Sequence, residues 1–148
     1  RFIQLLVTGK VIASSGAHEL DLEELIQEGL RVTVPTPVML RGVVSPAKIG
    51  KVSVKPGDRI LLATTLACRR AGGFNPERPM PKVLRNLWFG AGVHLCIGMP
   101  LAQLEILEVT KELINRFGGQ ELRIVESRIR KGTLTAGYSK LVVQWQPS

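Results

Sequence analysis

One cysteine in this chain stands where a sulfur can do chemistry. Cys96 lies in the stretch Phe89-Gly90-Ala91-Gly92-Val93-His94-Leu95-Cys96-Ile97-Gly98, between glycines and directly before a long apolar periodicity that predicts a helix. A sulfur at a helix N-terminus faces backbone N–H groups without intrahelical partners and the positive end of the macrodipole. Both favour thiolate over thiol, and the thiolate is the form that attacks carbon or binds a metal. Three fates are open to such a residue: a metal ligand, a nucleophile with His94 as its base, or a buried structural thiol. The second is the poorest, because His94 is only two residues away on a tight loop and no third orienting group is evident. Cys68 carries no such setting, and we expect it in the core.

The elements that must hold Cys96 in place can be read from spacing. Leu22, Leu25, Ile26 and Leu30 fall on one helical face, with Asp21 or an upstream Ser as cap and Pro35 and Pro37 as stops. Glu28 and Arg31 are three apart, on the same side of that helix. Val52 and Val54 alternate with polar residues, and Arg59-Ile60-Leu61-Leu62 resumes an apolar strand after Pro56-Gly57, which predicts a hairpin around Lys55 to Asp58. Ala71 to Trp88 reads as an ordered meander anchored by Phe74, Met80, Val83, Leu84, Leu87 and Trp88. Leu101, Leu104, Leu107, Val109, Leu113, Ile114 and Phe117 then form the stripe of the longest helix, with Pro100 in its opening turn and Gly118-Gly119 ending it. The tail predicts strands at Glu121 to Val125, Thr133-Leu134-Thr135 and Leu141 to Trp145. The order helix, hairpin, meander, long helix, hairpin is α+β.

Composition sets the outer limits. The 148 residues are 45% hydrophobic, enough for one domain and its core. Two cysteines exclude a disulfide framework, and nothing near them has structural zinc spacing, so a reducing cytoplasm is the expected setting. The run Phe2 to Ala13 is too short and too broken by Gln4, Gly9 and Lys10 to span a membrane, and it is read as a partly buried helix or strand, with residues 1–17 left unassigned. Arg1 rather than methionine in first place leads us to expect a trimmed chain or one that begins further upstream. From Arg31 to Arg85 eleven Lys/Arg residues face only Asp58 and Glu77. Such an excess suits a solvated basic face, an acidic protein partner, nucleic acid or anionic lipid. Nucleic acid is the weakest of these, for want of zinc-finger spacing, a basic helix or aromatics to stack bases.

The cysteine stretch fits Phe-x-x-Gly-x-x-x-Cys-x-Gly at Phe89, Gly92, Cys96 and Gly98, with His94 as the basic residue two before the cysteine, and this resembles the haem-binding loop of the cytochrome P-450 family. Other segments follow in the family's order. Glu28-Gly29-Leu30-Arg31 is similar to its Glu-x-x-Arg, Ala67-Cys68-Arg69-Arg70 to its Ala-Asn-Arg-Asp, and Phe74-Asn75-Pro76-Glu77-Arg78 to its Phe-x-Pro-x-Arg. Gly137-Tyr138-Ser139-Lys140-Leu141-Val142 resembles the final hairpin of bacterial members. The resemblance implies the C-terminal part of that fold, with residues 1–148 as a single haem-binding portion. It implies haem b held through Cys96 as axial iron ligand, a thiolate that favours O–O cleavage. Phe89 would shield the sulfur, Gly92 and Gly98 would admit sulfur and porphyrin where a Cβ would collide, and amides after Cys96 would bond the sulfur. His94 and Arg41 would pair with propionates, and Arg78 would join Glu28 and Arg31 in a buried ion cluster that fixes geometry.

The function implied is a monooxygenase that places one oxygen atom of O2 into a small organic substrate, with electrons from an acidic redox partner such as a ferredoxin or flavodoxin. Neither nucleic acid nor membrane is implied. The family's distal helix, with its acid and alcohol pair, has no match here, since Thr8-Gly9-Lys10-Val11 does not substitute for it. Arg70 stands for an acid, Pro79 for an aromatic, and the link between Arg70 and Phe74 is short. A second expectation therefore stands beside the first: a truncated, catalytically inactive relative acting as a haem-binding or protein-interaction module.

Overall fold

Asp21 starts the helix on which the other elements are hung. In the computed structural model, which describes residues 1–14, 21–133, 135 and 137–145, its side chain accepts from the amides of Glu23 and Glu24 at 3.0 and 3.1 Å. Two of the orphan donors of helix α3 (Leu22–Thr33) are satisfied in this way. Two short helices precede it, α1 (Phe2–Thr8) and α2 (Val11–Ser14), divided at Gly9 and Lys10. The apolar run of the N-terminus is thus helical, and Leu6, Val7, Val11 and Ile12 are buried. Residues 15–17, the rest of the unassigned stretch, lie outside the described residues.

Helix α3 separates two apolar clusters and contributes to both. Ile26 and Leu30 join Val34, Cys68, Met80 and Trp88 on one side. Leu25 joins Leu6, Val7, Val11 and Ile12 on the other, where Phe117, Leu122, Ile124 and Val143 close over them. Alternation of Leu25 and Ile26 between clusters follows from about 100° of rotation per residue. Gly29 gives α1 its seat: a Cβ there would meet the Phe2 ring at 2.1 Å.

The strands form three separate antiparallel pairs. Strand β1 (Met39–Gly42) pairs with β4 (Arg59–Leu62), β2 (Ala47–Ile49) with β3 (Val52–Val54), and β5 (Leu122–Ile129) with β6 (Tyr138–Trp145). The hairpin expected across Lys55 to Asp58 is therefore corrected. The turn forms, with Lys55 N donating to Asp58 Oδ2 at 2.9 Å and Gly57 at φ 92°, but its flanks pair elsewhere. Gly50 at φ 59° closes the short β2–β3 turn locally, while Val43 N donates to Asp58 O and carries the β1–β4 ladder past its ends. The C-terminal expectation is corrected too: Thr133 and Thr135 belong to the link between β5 and β6, and Leu134 lies outside the described residues. Tyr138 Oη donates to Gln4 Oε1 and ties this last hairpin to α1.

Helix α4 (Thr64–Arg69), which no apolar periodicity announced, brings Cys68 into the core. Single 3₁₀ turns at Lys82–Leu84, Leu87–Phe89 and Gly92–His94 lead through the meander to helix α5 (Met99–Phe117), with Pro100 in its first turn. The period expected for α5 is right, and its stripe is only partly taken up by the core. Ile106, Leu107, Leu113 and Phe117 reach the two clusters, whereas Leu101, Leu104 and Val109 are exposed at 61, 55 and 48%.

Glu28 and Arg31 form a buried ion pair, and Arg78, with 28% of its side chain exposed, lies at its edge. Glu28 and Arg31 are both fully buried and joined twice, Nε to Oε2 at 2.6 Å and Nη2 to Oε1 at 2.7 Å. Arg31 also donates to the carbonyls of Cys68 and Gly73 at 2.5 and 3.0 Å, and Asn75 N donates to Glu28 Oε1 at 2.9 Å. Arg78 lies 3.7 Å from Glu28 Oε1 and turns its guanidinium to the carbonyls of Ala71 and Gly73. The hydrogen bond to Glu28 raises the Arg31 pKa above its ordinary value, against the opposing effect of burial. Glu28→Ala leaves a buried guanidinium without its counter-ion and is expected to cost about 3–5 kcal/mol in urea unfolding. The double variant Glu28→Ala/Arg31→Met is expected to be less destabilised than Glu28→Ala alone.

Candidate functional site

Cys96 belongs to a loop whose shape is set by backbone conformation. Phe89 O accepts from Cys96 N at 2.8 Å, which closes the segment into a tight cycle, and Leu95 N donates to Gly92 O at 3.0 Å within it. Gly90 and Gly92 sit at φ 82° and 61°, in the region that favours glycine. Gly90 is the more constrained, since a Cβ there would meet His94 O at 2.9 Å. The motif reading overlooked it. At Gly92 an added Cβ meets nothing of the chain within 4 Å, so the polypeptide's own demand there is the positive φ. Gly98, the cap of α5, would bring a Cβ to 3.8 Å from Cys96 Sγ, an ordinary contact. The sulfur therefore lies beside the cap residue of α5.

The thiol is exposed rather than buried, which removes the reading of Cys96 as a structural core cysteine. Cys68 takes that part, fully buried, with burial pushing its thiol pKa up. Cys96 opens onto a hollow of about 460 Å3, within the usual range of about 300–1,000 Å3 for ligand and cofactor sites. Its walls are Pro35 and Thr36 after α3, Met39 and Arg41 of β1, and Trp88, Phe89, Gly90, His94 and Cys96. Four of the six residues expected at the site, Cys96, His94, Arg41 and Phe89, thus meet on one surface, while Gly92 and Gly98 shape the loop behind it. Met39 and Trp88 are additions. Met39 has no local signal beyond its place in the strand that carries Arg41.

The electrostatics of this hollow are one-sided. Arg41 and His94 are its basic lining residues, and no carboxylate among the described residues lines it. Arg41 Nη1 donates to Leu40 O at 3.0 Å, which leaves its other donors for an anion. Among the described residues no cluster of three His, Cys, Asp or Glu side chains forms a metal cage. Cys96 can therefore act as a single ligand to a metal that brings its own remaining donors. A flat apolar group with a central metal and an acidic edge fits this donor set: the Cys96 sulfur for the metal, Met39 and Phe89 for the apolar face, and the basic Arg41 and His94 for the acidic edge.

Comparison with known proteins agrees in sequence and in shape. The family model described as cytochrome P450 matches residues 21–134. The chain is 34% identical to the mycinamicin IV hydroxylase/epoxidase of Micromonospora griseorubida, over 97% of this chain and 38% of that protein. It is 30% identical to cytochrome P450 119 of Sulfolobus acidocaldarius, over 80% of this chain and 33% of the relative. The crystal structure of CYP109E1 from Bacillus megaterium in complex with corticosterone superposes with a TM-score of 0.80 at 24% identity, covering 97% of this chain and 40% of that one. The polyketide synthase cytochrome P450 PksS of Bacillus subtilis superposes with a TM-score of 0.75 at 28% identity, over 99% and 39%. The chain spans about a third to two fifths of the length of these relatives.

Two outcomes follow from this geometry. Iodoacetamide is expected to alkylate Cys96 in the native chain and Cys68 only after unfolding, as read by peptide mass spectrometry. Gly92→Ala is expected to cost about 1–2 kcal/mol from its backbone conformation alone, and Gly90→Ala more, because the His94 carbonyl must also move; urea unfolding of the two variants gives the order.

Proposed function

The chain belongs to the cytochrome P450 family, and from that membership we propose that it supplies the thiolate side of a haem monooxygenase, with Cys96 as the axial ligand. Members of the family bind haem b through a cysteine thiolate. The observation that carries the assignment to Cys96 is the convergence of Arg41 on the wall formed by His94 and Cys96, fifty and more residues further along the chain. Cys68 does not suit the role: it is fully buried, and its raised pKa is the opposite of what a thiolate ligand needs.

Each residue has a task that its position supports. Arg41 and His94 would hold the carboxylates of the haem by hydrogen bonds. With the group bound, Phe89 and Met39 on the wall of the hollow would help shield the sulfur from water, and Gly92 and Gly98 would leave room for close approach to it. Glu28, Arg31 and Arg78 act at a distance, by holding the meander that leads to the loop. When bound, haem supplies the redox chemistry that puts one oxygen atom of O2 into an organic substrate. We take residues 1–148 as one haem-binding portion of the fold. Its electrons come, on this reading, from an acidic partner of ferredoxin or flavodoxin type in the cytoplasm. The exposed Lys48, Lys51, Lys55, Arg59, Arg69, Arg70 and Lys82 and the net charge of +8 support such a partner. No described helix is long and apolar enough to cross a membrane.

One observation favours the second reading, of a module that binds haem or a protein without oxidising a substrate. The exposed Leu101, Leu104 and Val109 of α5 are apolar side chains that the described residues leave uncovered, set among the exposed Glu105, Glu108 and Glu112. Reconstitution with haemin tests the main proposal. The reduced chain with CO is expected to show a strongly red-shifted Soret band that Cys96→Ser loses and Cys68→Ser keeps. Arg41→Ala and His94→Ala are each expected to weaken haemin binding about tenfold. A chain that takes up no haem, or a band that survives Cys96→Ser, overturns it.

A further inference from the structure

Asn86 stands where the meander turns into the cysteine segment. Its backbone is left-handed, φ 59° and ψ 10°, a conformation that Asn adopts more readily than other residues with a Cβ. Its side-chain oxygen accepts two hydrogen bonds at once. Gln27 Nε2 of α3 donates to Asn86 Oδ1 at 3.2 Å, and Gln103 Nε2 of α5 donates to it at 3.0 Å. An amide oxygen has two lone pairs, and both are used here. Gln27 is buried, and its own Oε1 has no hydrogen-bond partner among the described residues. Its amide is therefore oriented by the bond to Asn86 alone.

The connection continues through the backbone to the sulfur residue. Phe89 N donates to Asn86 O at 2.8 Å, and Cys96 N donates to Phe89 O at 2.8 Å. Two helices, one side-chain oxygen, one 3₁₀ turn and the Cys96 amide are thus joined in an unbroken series. Gln103 adds a second closure, because α5 begins three residues after Cys96. Both ends of the loop are tied to the same residue, one through its backbone carbonyl and the other through Oδ1. We propose that Asn86 is the positioning residue of the cysteine loop, and that its Oδ1 fixes the placement of Cys96 relative to α3 and α5. For its spectroscopic consequence this rests on Cys96 as the haem ligand; for its geometric consequence it does not.

Three variants separate the oxygen from the backbone conformation. Asn86→Gly keeps the left-handed turn and removes the acceptor, Asn86→Asp keeps both, and Gln103→Met removes one donor. Amide hydrogen exchange reads the loop without haem, with the amides of α3 as the internal control for global folding. Protection of the Phe89 and Cys96 amides is expected to fall at least about fivefold in Asn86→Gly, to fall less in Gln103→Met, and to persist in Asn86→Asp. After haemin reconstitution, Asn86→Gly is expected to lose part of the red-shifted reduced CO band and Asn86→Asp to retain it. Unchanged protection in Asn86→Gly, or loss in Asn86→Asp equal to that in Asn86→Gly, overturns the proposal. If Asn86→Gly does not fold, Gln103→Met decides, and unchanged Phe89 and Cys96 protection there overturns it. A parent chain that takes up no haem sinks the functional reading and leaves the exchange experiment to judge Asn86.

Discussion

The carboxylate of Glu28 and the guanidinium of Arg31 are both withdrawn from water, and the placement of the cysteine hollow depends on how that is made tolerable. Desolvating two charges is expensive, and their attraction offsets the expense only when the remaining lone pairs and N–H groups are also used. Here they are used. Arg31 spends its other donors on the carbonyls of Cys68 and Gly73, and Glu28 receives Asn75 N as well as Arg31. The partners come from the end of α4 and the start of the meander, so satisfying the pair sets both segments against α3. The pair contributes geometry more than net stability, since a well-packed apolar substitute is often no less stable.

From that fixed point two segments packed against α3 meet at Cys96. One passes through Val34, buried and left-handed at φ 32°, and Pro35 into β1, which carries Met39 and Arg41. The other runs through the meander, pinned by the buried Met80 and Trp88 and by the ion pair of Arg85 with Glu24, to the glycine loop. A left-handed β-branched residue is strained, and Val34 keeps that conformation while packed among Ile26, Leu30 and Trp88. The turn that aims β1 at the hollow is held by tertiary contacts.

These two kinds of constraint explain what could be read in advance. Local ones left a mark in the residues: the Asp21 cap, the three-residue spacing of Glu28 and Arg31, the proline and glycines that bound α5, and the glycines around Cys96. Non-local ones left none. The turn at Pro56-Gly57 is genuine, yet nothing near Arg59 states that its strand pairs with Met39–Gly42 twenty residues earlier. Helix α4 lacks a long apolar period because it is six residues long and buries only Thr64 and Cys68. Gly90 stood in the motif as an unconstrained position because its requirement is a carbonyl four residues later, a contact that exists only once the loop is closed.

Helix α5 shows the same division within one element. Its period is a local property and predicted a helix correctly, while the surface its stripe covers is a tertiary property. Ile106, Leu107, Leu113 and Phe117 are taken up by the two clusters on α3, but Leu101, Leu104 and Val109 are not. Glu105, Glu108 and Glu112 are exposed on that same outward side, so it is mixed in character rather than apolar throughout. The cysteine loop depends on the α3 side of α5 through Gln103, and not on the exposed side.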